Sequence, residues 1–288
     1  MQLCFFYAVI SAVFIGLYKF LNKIIAEKKV DKQNYILYTS IAQLIITFFY
    51  FLYTKETFYM TLLFAFLIIA RTILVTEKVL ATIESLKYID SSLFFPANKL
   101  IQMLWGFLVW LFFFWEHLEK NEIIFIFVWI ISVILLWYKK WELQNKDLKK
   151  WIIFLLLASL FLVGTSTINK YIWENESISI YMMLCSFASI IYILFKIKIQ
   201  KHKILFRKKE IFYGFISWLI WIFWFFFHLN ALAQWKLVIV QLISSIATFI
   251  PILLSYIFLK EHINKYRIFW LILFLINLWV FYIGKYWI

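Results

Sequence analysis

The chain has 288 residues, 65% of them apolar and only 15% charged, with a mean hydropathy of +0.88. That is more apolar mass than a soluble core can hide or a disordered chain would carry, and it comes in unbroken runs rather than the alternating strands of an outer-membrane barrel. A net charge of +14 would suggest nucleic acid in a soluble protein, but here the Lys and Arg residues cluster between the apolar runs, which is the pattern of membrane topology.

The runs predict an all-α polytopic membrane protein with spans at 3–25, 34–53, 58–83, 91–114, 121–138, 150–172, 177–195, 210–232, 236–259 and 266–284. The first run has no basic leader and no small-residue cleavage site, so it reads as a retained helix. Cys4 and Cys185 stand alone in apolar stretches and read as small hydrophobes. The longest connection, 196–209, reads KIKIQKHKILFRKK, a solvated basic loop within reach of anionic lipid headgroups.

Short matches recur along the chain. Glu116-His117 and Glu261-His262 each follow a long apolar run, 145 residues apart, and at that offset Ser85 falls on Asn230. Leu21-Asn22-Lys23 resembles Ile168-Asn169-Lys170 at an offset of 147. These matches divide the chain into halves of five spans, 1–145 and 146–288. Because five is odd, the second half enters the bilayer inverted, as in many secondary transporters.

The stretch Ser85-Leu86-Lys87-Tyr88-Ile89-Asp90-Ser91-Ser92-Leu93 resembles the joint between helices three and four of EamA-type proteins in the drug/metabolite transporter superfamily. Glu116 and Glu261 look like the Glu that closes helices four and nine there, and Asn230-Ala231-Leu232-Ala233 loosely repeats the joint. The chain departs from the family pattern in two places. Gln102 and Ala247 stand where Pro is usual, and Trp115 and Lys260 where Gly is usual. The resemblance implies ten helices in two inverted repeats, with helices one, three, four, six, eight and nine around a central cavity and five and ten at the periphery.

Charges inside a bilayer are expensive unless they face a cavity or a partner. Arg71 and Lys99, near mid-span, read as lining a polar cavity, the alternative being an ion pair with a carboxylate on a neighbouring helix. Lys19, nearer a helix end, divides evenly between cavity and snorkelling, and Lys78 and Glu84 read as snorkelling. In span four Asn98 and Gln102 (i, i+4) and Lys99 and Gln102 (i, i+3) form one polar stripe. In span nine Gln241, Ser244, Ser245 and Thr248 form another, with Lys99 falling on Ser244 between the halves. Such stripes serve either a midplane substrate site or interhelical hydrogen bonding. Glu77, about 120° around the helix from Arg71, is the first candidate for proton coupling and His228 the second; pairing of Glu77 with Lys99 or Lys19 is the alternative for the former, a satisfied structural donor for the latter. Trp218, Trp221 and Trp224 read as an aromatic belt in preference to a stacking surface for substrate. Asn22 and Asn169, with Lys23 and Lys170, either gate or cap.

The chain carries no nucleophile elbow, metalloprotease, Walker or Cys-x-x-Cys motif, and its four His are scattered, so the expectation is a protein that is not an enzyme and has no cofactor or metal. The expected function is secondary transport or export of a small polar metabolite, anionic or zwitterionic, such as an amino acid or organic acid, by alternating access. A lipid-linked-sugar flippase or other lipid handler is the rival. The expected partners are the solute and the bilayer, without nucleic acid, in a monomer or homodimer. Loops after odd-numbered spans hold 20 Lys and Arg against 5 on the other side, which places those loops in the cytoplasm and both termini outside the inner (plasma) membrane. The family more often keeps both termini inside.

Overall fold

A computed structural model of the chain describes residues 2–113, 148–175, 177–232 and 243–261, with isolated positions 127, 131, 268, 269, 272 and 276. Apart from those positions, spans five and ten and the beginning of span nine lie outside the described residues. The described segments form α1 (Gln2–Glu27), α2 (Lys32–Thr54), α3 (Leu62–Ser85), α4 (Ser91–Phe113), α5 (Leu148–Asn175), α6 (Ile178–Ile199), α7 (Lys208–Leu232), a 3-10 turn (Ser244–Thr248) and α8 (Phe249–Leu259), with no strand among them. Five of them, α1, α2, α5, α6 and α7, are long and apolar enough to cross a membrane. Phe6, Phe48, Phe66, Phe195 and Phe226 project from the outward faces well exposed, which is costly in water and neutral in hydrocarbon. The protein is an all-helical, multi-pass membrane protein.

Capping sets the helix starts. Asp31 accepts hydrogen bonds from the Gln33 and Asn34 amides at 3.1 and 2.9 Å, satisfying donors that open α2. Thr61 accepts from the Phe64 amide at 3.0 Å, so α3 begins at Leu62, four residues later than the apolar run suggests. At the other ends, the residue that turns left-handed is lysine: Lys29 (φ 49°), Lys55 (φ 51°), Lys201 (φ 51°) and Lys260 (φ 54°). Beyond three of them the chain folds back, Val30 N–H donating to Ile25 O at 3.2 Å, His202 N–H to Ile197 O at 3.0 Å and Glu261 N–H to Ser255 O at 3.3 Å. α6 reaches Ile199 rather than stopping at 195 because its last turn has partners: Ile197 is buried and Lys196 pairs with Glu77 of α3.

The packing comes in matched pairs. α1 packs on α7 and α3 on α5; α2 meets α7 as α6 meets α3; α4 lies on α5 as the 3-10 turn and α8 lie on α1; and α2 packs on α6. The starts of α2 and α6, Lys32 and Ile178, are 146 residues apart, as are those of α3 and α7, Leu62 and Lys208. Asn22 of α1 bonds to Tyr35 at the start of α2, whereas Ser179 at the start of α6 bonds to Glu56 just past the end of α2, so α1 and α5 run in opposite directions. One end of the molecule, called the basic end below, gathers the connections 28–31, 86–90 and 200–207 and the end of α8.

The main core joins Leu21 and Ile25 of α1, Tyr35 and Ile36 of α2, Val79, Leu80 and Ile83 of α3, Phe94 and Phe95 of α4, Leu155 of α5 and Ile193 of α6. A second cluster, Phe64, Ile68, Ile172, Ile180, Tyr181 and Cys185, closes the opposite end. At Gly214 the backbones of α7 and α2 come so close that a Cβ would stand 2.8 Å from Tyr38 Cβ and 3.1 Å from the Thr39 nitrogen, which only glycine permits.

A cationic interior as the candidate functional site

Four helices send basic side chains to the interior. Arg71 and Lys78 of α3 are seven residues apart and so share a face. Lys78 lies within Coulombic reach of Arg71, Lys19 of α1 of Lys78, Lys99 of α4 of Lys19, and His228 of α7 of Lys99. Lys19, Lys78 and Lys99 stand seven or eight residues from the basic ends of their helices, at Glu27, Ser85 and Ser91, which is a depth of about 11–12 Å at 1.5 Å per residue. Lys99 is only 4% exposed. Lys19 Nζ rests 5.7 Å from the centroid of Phe95, a cation–π contact that needs no counter-charge. His228 stacks on Trp224 at 5.2 Å, and its buried Nδ1 has no hydrogen-bond partner.

Glu77, Glu84 and Glu261 each have basic partners of their own. Glu77 accepts from Lys196 and from Tyr192 (2.7 Å), both on α6, rather than pairing with Lys99 or Lys19. Glu84 pairs with Lys32 at 2.6 Å and Lys87 at 3.0 Å, and Glu261 pairs with Lys23 at 2.9 Å. Like charges gathered in a poorly hydrated interior repel one another, and an anionic solute relieves that repulsion.

The polar stripe of α4 divides. Asn98 Oδ1 receives Gln102 Nε2 at 2.8 Å and the Ser159 hydroxyl of α5 at 2.6 Å, so this part of the stripe ties α4 to α5 while Lys99 joins the cationic group. In span nine Gln241 lies outside the described residues. Ser244 and Ser245 fall in the 3-10 turn, which packs on α1 and α4. Pro251 has no N–H to donate to the carbonyl four residues back, and the chain before it tightens to three residues per turn. Ser244 and Thr248 therefore do not share the α-helical face that their spacing suggested.

Two Tyr–Asn hydrogen bonds, each with a third side chain beside the Tyr, recur at nearly the same spacing. Tyr35 Oη donates to Asn22 Oδ1 at 3.4 Å and meets Ser217 Oγ at 2.7 Å. Tyr181 Oη donates to Asn169 Oδ1 at 2.5 Å, and the Arg71 guanidinium lies 5.6 Å from its ring centroid. Tyr35 and Tyr181, and Ser217 and Arg71, are each 146 residues apart. Arg71 thus stands by Tyr181 as Ser217 stands by Tyr35, beside Cys185 and with a buried Nε that has no hydrogen-bond partner.

The sequence reading did not anticipate three features. Lys78 belongs to the interior group rather than reaching for the surface, and its seven-residue spacing from Arg71 was the available signal. Lys23, which the sequence offers as a gate or a cap, is 5% exposed and paired with Glu261, a partner that no local pattern indicates. Trp218 is 8% exposed and packs on Phe215 at 5.0 Å, inside the protein rather than in a belt.

No family model matches the chain, and no curated protein matches it. Solved structures do: one protein crystal structure superposes over 93% of this chain and 96% of that one with a TM-score of 0.64 at 11% identity, a likeness of fold.

Proposed function

We propose that the protein is a secondary transporter of a small anionic or zwitterionic metabolite, of the drug/metabolite transporter type, built from ten helices in two inverted repeats. The observation that carries this reading is the convergence of Lys19, Arg71, Lys78, Lys99 and His228 from four helices. Three facts support the repeat: the exchanged helix pairs, the opposite directions of α1 and α5, and the two Tyr–Asn hydrogen bonds. Alternating access follows from such a repeat, because two packings related by the pseudo-two-fold differ little in energy. An amino acid or organic acid fits this charge; a cationic drug would want carboxylates in excess. Arg71 marks one half of the interior as the side that receives the carboxylate or phosphate group. Proton coupling falls to Glu77 or His228.

The test is a thermal-shift screen of purified protein against carboxylates, amino acids and organic phosphates. Proteoliposome uptake of the hits follows, with and without a proton gradient. Stabilisation by anionic solutes together with uptake is the expected result. Stabilisation confined to lipids or lipid-linked sugars refutes the reading in favour of lipid handling.

A further inference from the structure

The basic end is closed by a polar contact between the two halves. Lys23 of α1 is 5% exposed, and its ammonium has four oxygens around it: Glu261 Oε1 at 2.9 Å, Glu27 Oε1 at 3.3 Å, and the carbonyls of Leu86 and Ile89 at 3.2 and 3.3 Å. Glu261 also accepts from the Ser91 amide at 3.1 and 3.3 Å and from the Ser91 hydroxyl at 3.4 Å. The Ser91 hydroxyl receives that of Ser255 in α8 at 3.0 Å, with both serines fully buried. The α3–α4 joint of the first half is therefore held to the end of α8 in the second half directly, through Ser91, and by way of Lys23.

This contact stands directly outside the cationic interior. Lys23 is one turn from Lys19 on the same face of α1, and Ser91 opens the helix that carries Lys99. It is also the more deeply buried of the two ion pairs described between the halves, its side chains 6% and 8% exposed against 20% and 26% for Lys196 and Glu77. Opening an apolar seam exposes hydrocarbon to water. A buried ion pair is close to balanced between its paired and hydrated states, because the desolvation cost is returned when water enters. A seam of this kind can exist in two states, which a well-packed apolar core does not allow.

We propose that the Lys23–Glu261–Ser91 contact is the gate between the cationic interior and the basic side of the membrane, closed in this structure. The inference rests on the transporter reading, but its test needs no substrate. A reporter, Ser11→Cys, is placed in a background with Cys4→Ser and Cys185→Ser. Ser11 is buried on α1 eight residues beyond Lys19, about 12 Å further in, and its hydroxyl has no hydrogen-bond partner. A membrane-impermeant maleimide is applied to vesicles on the side of the basic loop, identified by a Lys203→Cys control. Slow labelling of the reporter is expected with the gate intact, at least tenfold faster labelling with Glu261→Gln, and none when Ser91→Cys and Ser255→Cys are oxidised to a disulfide, with recovery on reduction.

Equal labelling rates in all three forms overturn the proposal. If Glu261→Gln does not fold, the cross-linked pair decides alone: loss of labelling on oxidation supports the gate and unchanged labelling refutes it. Failure here, with anion binding still dependent on Lys99, leaves the transporter reading standing. Gating without anion binding refutes the binding site and leaves the gate.

Discussion

Replacing Lys99 with Met tells a structural role from a binding one, because stability answers to the first and affinity to the second. The methionine keeps an unbranched stem of similar length, so the apolar contacts around the 4%-exposed side chain are largely retained. What is lost is a positive charge near Lys19 and His228. A pair of like charges several ångströms apart repels by about 2 kcal/mol at an effective dielectric of ~20, so the empty protein gains from the change what it loses in local contacts. Its melting temperature should stay within about 3 °C of the parent, given that ~1 kcal/mol moves a chain of this size by roughly 2–4 °C. The bound state moves the other way. A charge-assisted hydrogen bond to an anion contributes about 1.5–3 kcal/mol, and its removal weakens binding by roughly 10- to 150-fold. Scanning fluorimetry of the apo protein and titration calorimetry with the best anionic hit from the screen read the two effects. Unchanged affinity in Lys99→Met refutes the site, and a protein that no longer folds shows that the charge is structural.

Three further outcomes follow from the geometry. Gly214→Ala should lower stability by about 1–3 kcal/mol, because its Cβ meets the backbone of Tyr38 and Thr39, whereas Gly164→Ala, which meets only the mobile Leu74 Cδ1 at 3.1 Å, should change it by less than ~1 kcal/mol; chemical denaturation in detergent compares them. If protons drive uptake, Glu77→Gln or His228→Gln should flatten the pH profile of uptake while leaving solute exchange intact, and an unchanged profile in both variants removes both residues as carriers. With 20 Lys and Arg on one side against 5 on the other, a cytoplasm-active reporter fused after Ile288 should be silent and a periplasm-active one should report; the reverse refutes the orientation read from charge.

The described helices were legible because each apolar run is long and bounded by charge; α3 starts four residues later than its run because Thr61 caps it. Arg71 and Lys99 were legible for the opposite reason, as charges too deep to reach water. Lys78 was not: its distance from the helix end suited snorkelling, and only the packing of α3 against its neighbours turned it inward. Lys23 reads as a gate or a cap, but its pairing was not legible because its partner Glu261 lies near the other end of the chain. The tightened turn at Ser244–Thr248 depends on Pro251, whose effect reaches backwards along the chain and breaks the face that a regular period assigns. Asn98 carried the right polarity, but its hydrogen bond to Ser159 is a fact of helix pairing that no local pattern encodes.

The four left-handed lysines carry a consequence for engineering. A non-glycine residue in that conformation costs about 1 kcal/mol, so Gly at Lys29, Lys55, Lys201 or Lys260 would relax the backbone and is the substitution a stability screen would select. Three of the four, however, lie at the basic end, where each also counts toward the charge that orients the chain during insertion. Thermal tolerance and correct delivery to the membrane are thus in competition at the same three atoms of side-chain nitrogen. A variant improved in detergent at Lys29, Lys201 and Lys260 together should yield less correctly inserted protein from cells.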